Sequence, residues 1–99
     1  MSTISVHQFL AQLRPVLQEV TVELRQRQAG KPGTGTVGEL AAIRNELSEL
    51  ETKAGTGTLP PPGQRWLAAS RIVTDTWPND SALGDKICVL ATMYRRDLE

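Results

Sequence analysis

Cys88 and His7 are the only thiol and the only imidazole in the 99 residues, so nucleophilic chemistry would have to start from them. A nucleophile needs a base within reach and a third group to orient that base. His7 falls in the first turn of an N-terminal helix and Cys88 in the middle of an apolar C-terminal one, and no spacing ties them together. A buried, unpaired thiol is inert. Cys88 is therefore read as a packing residue and His7 as a surface residue. One His and one Cys cannot supply a four-ligand zinc site from one chain, and no H-x-x-x-H or C-x-x-C spacing occurs. The carboxylate pairs Asp75 with Asp80 and Glu46 with Glu49 flank helix ends or lie on outer faces, with no sign of the cleft that glycosidic chemistry needs.

The segment GKPGTGT, from Gly30 to Thr36, superficially resembles the phosphate-binding P-loop, and departs from it where the chemistry lies. The Lys that should precede the final Thr is missing, and the segment follows a polar helix end instead of a β-strand. Without strand–loop–helix geometry the amides of such a loop are not aimed at a phosphate. It reads as a flexible connector. These absences lead us to expect no enzyme, no cofactor and no metal.

Arg25 with Arg27, and Arg95 with Arg96, are the basic pairs that a nucleic acid would use. Each pair falls near a helix end, where cations complement the helix dipole without any ligand. Lys plus Arg and Asp plus Glu number 11 each, so the net charge is zero. A dedicated nucleic-acid binder usually depends on an excess of basic charge. A helix-turn-helix reader would also carry polar side chains where the last helix has Cys88, Val89 and Met93. A small nucleic-acid-binding or regulatory protein using Arg25, Arg27, Arg95 and Arg96 is the alternative reading, and a nucleic-acid partner is not expected.

Elements that position these residues follow from apolar periodicity. A chain of this length fits one domain, residues 1–99, and buries roughly 60–70% of its unfolded surface. Hydrophobic residues make up 39% and aromatics only 4%, so the core must be mostly aliphatic, which suits packed helices. Ser5 and Gln8 form an S-x-x-Q capping box, and Val6, Phe9, Leu10, Leu13, Val16, Leu17, Val20 and Leu24 follow at helical spacing. This predicts a first helix over Val6 to Gln28. Pro15 interrupts it by removing a donor and crowding the carbonyl of Ala11. The stripe runs on across Pro15, so a kink is expected in place of a break. Thr36 and Glu39 form a second box, T-x-x-E, ahead of Val37, Leu40, Ile43, Leu47, Leu50 and Ala54, and Gly55 is the expected stop. Glu46, Glu49 and Glu51 are placed on the outer face, with Glu49 and Lys53 as an i,i+4 pair. That face reads as solvated, or as an acidic surface for a basic partner.

After a second GTGT and Leu59-Pro60-Pro61-Pro62-Gly63, a third helix is predicted from Gln64 to Thr76. Trp66, Ala69, Ser70, Val73 and Trp77 would share its inner face, the two indoles clamping the last helix at two levels. Ile72 falls outside that seam, near Thr76 and Arg65, and reads as a lone exposed residue. Asn79, Asp80 and Ser81 offer caps for the last helix, and Gly84 early in it permits close approach of a neighbour.

The last helix, Leu83 to Leu98, carries Leu83, Ile87, Leu90, Ala91, Tyr94 and Leu98 on one face. Val89 and Met93 widen the face on one side and Cys88 on the other, leaving only Asp85, Thr92, Arg95 and Arg96 as a polar arc. A helix apolar around most of its girth is central or meets a partner. The expected architecture is all-α: a small four-helix bundle, first helix kinked at Pro15, C-terminal helix most buried. The expected function is a helical protein–protein interaction module, either an adaptor, an inhibitor or immunity-type protein, or an assembly subunit. It would dock another protein or itself, as a homodimer or larger homo-oligomer, with Ile72, Val89, Met93 and Arg96 as contact residues. Zero net charge favours association. One cysteine, no secretory leader and no run long enough to span a membrane give a cytoplasmic expectation without a membrane partner. Leu98-Glu99 also has the form of a vector-derived tail.

Overall fold

In the computed structural model, which describes residues 3–98, Ser5 and Thr36 open the two long helices as their capping signals predict. Helix α1 covers Val6–Gln28 and α2 covers Val37–Thr56. The Gln8 amide donates to Ser5 Oγ at 3.1 Å while Gln8 Oε1 accepts from the Ser5 amide at 2.9 Å. The Glu39 amide donates to Thr36 Oγ1 at 3.1 Å and Glu39 Oε1 accepts from the Thr36 amide at 3.0 Å. Each box satisfies donors that the first helical turn leaves without partners. Helix α1 runs through Pro15 unbroken. Pro15 and Ala11 both lie on its exposed side, where water can solvate a carbonyl that has lost its donor. Gly57, not Gly55, terminates α2: its φ of 71° is left-handed, and its amide donates to Lys53 O.

Helix α3, Ala68–Thr76, starts four residues later than its apolar spacing predicts. The cause lies in Arg65, Trp66 and Leu67. Leu67 is extended, with φ −119° and ψ 125°. Extended backbone sends successive side chains to opposite sides. Arg65 and Leu67 go in, at 8% and 4% exposure, and Trp66 goes out at 70%. The Arg65 guanidinium donates from Nε to Pro60 O at 2.8 Å and from Nη1 to Leu98 O at 3.0 Å, and lies 6.0 Å from the centre of the Tyr94 ring. The expected two-level tryptophan clamp is therefore corrected to a single buried indole. Trp77 is 6% exposed, and a Cβ on Gly35 would fall 2.9 Å from its ring.

Helix α4 covers Ala82–Thr92 behind Ser81, whose Oγ accepts from the Gly84 amide at 3.0 Å. Its continuation is not α-helical: Met93–Asp97 form one π turn, after which Leu98 is extended. The Leu98 amide donates to Met93 O at 2.8 Å, the Ile4 amide donates to Asp97 O at 2.7 Å, and Ile4 and Leu98 form an isolated parallel bridge. Leu98 is buried in the core, and Glu99 lies outside the described residues.

Four helices thus pack together with no strand among the described residues. α1 packs on α2, α2 on α3, α3 on α4, and α4 back on α1. The fully buried centre comes from Phe9, Leu13 and Val20 of α1, Leu40, Ile43 and Leu47 of α2, and Ile87 and Leu90 of α4. Gly84 is the point where α3 comes close, since a Cβ there would stand 2.9 Å from Val73 Cγ1. No helix among the described residues is long and apolar enough to cross a membrane.

Candidate functional site

Helix α4 is the wall shared by two surface grooves. The first, about 310 Å³, opens between α1 and α4 and is lined by Pro15, Val16 and Glu19 on one side and by Asp85, Val89 and Met93 on the other. Lys86 Nζ bridges its rim to Glu19 Oε1 at 2.6 Å. Val89 is 53% exposed there. Met93 is half-buried and packs against the core edge. The structure thus brings Val89 and Met93 together. Ile72 and Arg96 are not part of this groove. Ile72 is half-buried against the core, which corrects its reading as an outlying exposed residue. Arg96 is exposed on the π turn, as its place in the polar arc of the last helix predicts.

The second groove, about 350 Å³, lies between α3 and α4, with Trp66 at its mouth, Arg71 and Arg95 along it, and Ser70, Thr74 and Cys88 among its lining. Apolar spacing misses Trp66 as a surface residue because it matches the α3 seam. One signal was present: Leu67 is apolar yet belongs to no helical face in that reading, and helix over that stretch would have left it unexplained. Burial pushes the Cys88 thiol up from its ordinary value, and Asp85 adds to the effect. The thiolate is accordingly scarce at neutral pH. His7 is exposed in the first turn of α1. Among the described residues no three His, Cys, Asp or Glu side chains are grouped to hold a metal ion.

The acidic face of α2 is mostly engaged within the chain, against its reading as outward-facing charge. Glu51 Oε2 accepts from Arg14 Nε at 3.1 Å. Glu46 reaches α3 and accepts from the Ala68 and Ala69 amides, both at 2.8 Å. Leu67 at the N-cap position has no capping side chain of its own, so the cap comes from another helix. Glu39 accepts from Thr76 Oγ1 at 2.7 Å and from Trp77 Nε1 at 3.4 Å, tying α2 to the end of α3. Glu49 and Lys53 are both exposed and do not form the expected pair.

Glu39 is held below its ordinary carboxylate value, first by the Thr76 hydroxyl and next by the Thr36 amide. A carboxylate with a lowered folded value contributes stability above its unfolded value, and that contribution is lost as pH falls through the folded one. Stability should therefore decline on acidification below about pH 4.5 in part through Glu39. Denaturant unfolding between neutral and acid pH checks this. Glu39→Gln should flatten the acid limb, and an unchanged slope would remove Glu39 from the account.

Arg27 is not available to a nucleic acid. Its guanidinium pairs with the Glu23 carboxylate and donates from Nη1 to Lys31 O and Pro32 O, each at 3.2 Å. It fills the space beside Gly33, where a Cβ would overlap it. The GKPGTGT loop is thus wrapped on an arginine of its own chain. Arg25, Arg95 and Arg96 are exposed. No protein-family model matches the chain, and neither a curated protein nor a solved structure matches it.

Proposed function

We propose that this chain is a non-enzymatic helical interaction module that self-associates through the α1–α4 groove. The observation that carries the reading is Val89, half-exposed beside Met93 on the flank of α4 that faces α1. Burying Val89 and the rest of Met93 against a second copy removes apolar surface from water at roughly 25 cal/mol per Å². The zero net charge offers no long-range repulsion between copies. Arg96 and Ile72 lie outside this groove, Arg96 exposed on the π turn and Ile72 packed against the core, so the contact rests on Val89 and Met93. The four helices are taken as a bundle bent at Pro15, with the C-terminal helix the most enclosed. An adaptor, an inhibitor or immunity-type protein, and an assembly subunit all use such a face. A cytoplasmic setting goes with the single free thiol.

Light scattering over a concentration range tests the reading. The average mass should rise with concentration. Val89→Glu and Met93→Glu should each weaken association at least about tenfold, because a charge would then be buried at the contact. Val89→Glu should leave the thermal midpoint close to that of the parent, since the side chain is already half in water. A strict monomer at high concentration would rule out self-association.

A further inference from the structure

Trp66 is the most exposed of the large apolar side chains among the described residues, and the self-association reading does not use it. It stands at the mouth of the α3–α4 groove, on the opposite flank of α4 from Val89 and Met93. Arg71 and Arg95 line the same groove and no Asp or Glu does. Trp and Arg are the residue types that most often dominate the binding energy of a protein interface. The hydroxyls in the groove are already committed: Ser70 Oγ donates to Leu67 O at 2.9 Å, Thr74 Oγ1 to Arg71 O at 3.2 Å and Thr92 Oγ1 to Cys88 O at 3.1 Å. Polar recognition in the groove therefore falls to the two guanidinium groups. Arg71 Nε lies 3.5 Å from Asp75 Oδ2, but that pair is 84% and 62% exposed. Water and salt weaken such a pair, and the two terminal nitrogens of Arg71 remain for another carboxylate.

We propose that the α3–α4 groove seats an acidic segment of a partner protein, with one bulky apolar side chain packed on Trp66 and flanking carboxylates on Arg71 and Arg95. Charge complementarity commits the occupant: a groove with two arginines and no acid, on a chain of zero net charge, selects local negative charge without attracting polyanions in general. A space of about 350 Å³ admits one or two side chains and cannot hold a duplex. A second copy is a weaker occupant: on its most acidic helix Glu39 and Glu46 are bonded to α3 and Glu51 pairs with Arg14, which leaves Glu49 as the one exposed, unpaired acid. The surface is separate from the one used for self-association, so both can be filled at once.

The test uses the full chain and a fluorescein-labelled short peptide with Glu on one helical face and Leu and Phe on the other. Its control carries Lys in place of each Glu. Anisotropy should rise with the acidic peptide only, and the binding should weaken as salt screens exposed charge. Trp emission should move to shorter wavelength on binding in the parent and not in Trp66→Phe. Trp66→Ala should weaken binding at least about tenfold, and the double reversal Arg71→Glu with Arg95→Glu should abolish it. Trp66 and both arginines are exposed, so these variants keep the fold. The proposal is overturned if the acidic peptide fails to bind at low salt, or if the Lys peptide binds equally. It is overturned as well if Trp66→Ala or the reversal leaves binding unchanged. A single-stranded oligonucleotide that binds with the same dependence on Trp66 and the arginines would make the occupant a nucleic acid instead. Loss of self-association in Trp66→Ala would make it a second copy. A monomeric chain that still binds the acidic peptide would sink only the self-association reading.

Discussion

Arg65→Met should lower the stability of the fold by about 3 kcal/mol, a fall in thermal midpoint of roughly 10–20 °C. The Met side chain replaces the buried stem of Arg65 but donates nothing. Pro60 O and Leu98 O then lose partners held at 2.8 and 3.0 Å. A hydrogen bond to a charged donor contributes about 1.5–3 kcal/mol, and two such bonds would give more than the figure above. The desolvation of a guanidinium at 8% exposure opposes them, which brings the net effect down. Urea unfolding with thermal melts measures the change. The amides of Ile4 and Leu98 should also exchange faster, because the segment that Arg65 holds is the one they pair in. A change within about 1 kcal/mol would mean that water replaces the guanidinium at both carbonyls without penalty.

Glu46→Ala should cost about 2 kcal/mol. Helix α3 has only nine residues and no cap of its own, and an isolated helix that short does not hold together in water. The Glu46 carboxylate meets two amides whose partial positive charge it complements, a stronger arrangement than a neutral Ser or Thr cap. Glu46→Gln keeps one acceptor oxygen and turns an NH₂ towards the other amide, so about half of the loss should appear. Exchange protection at Ala68, Ala69 and Ser70 should fall ahead of global unfolding. Protection there equal to that of the parent would show that the cap contributes nothing to α3.

The two long helices were legible because their signals are local. Ser5 with Gln8 and Thr36 with Glu39 state where a helix starts within four residues, and the hydrogen bonds form between those same groups. The start of α3 was not legible, because what sets it is remote. Arg65 turns inward to reach Leu98, and Glu46 of α2 supplies the cap. Neither partner lies within one helical turn, so spacing counted along 64–76 could not weigh them. The same remoteness hid the exposure of Trp66 and the use of the α2 acids as ties between helices. The π turn over Met93–Asp97 escaped for a different reason. Tyr94 in the turn and Leu98 just after it still reach the core, and a spacing count at 3.6 residues per turn cannot tell that winding from an α-helical one. The grooved flank with Val89 and Met93 was legible as an excess of apolar girth. Its companion with Trp66, Arg71 and Arg95 became visible only once the backbone was placed.

The stacking of Phe9 on Tyr94, with ring centroids 5.9 Å apart, bears on the order of events during synthesis. Phe9 leaves the ribosome long before Tyr94 and Leu98 exist, and its buried face waits for them. Helices α1 and α2 adjoin in sequence and pack on each other, so that hairpin is the part of the fold that can assemble while translation continues. Until the residues near 98 emerge, the apolar stripe of α1 has lost one of its two neighbours. A nascent chain stalled in that interval would be open to chaperones and to aggregation, and the hazard ends when Ile4 finds Leu98.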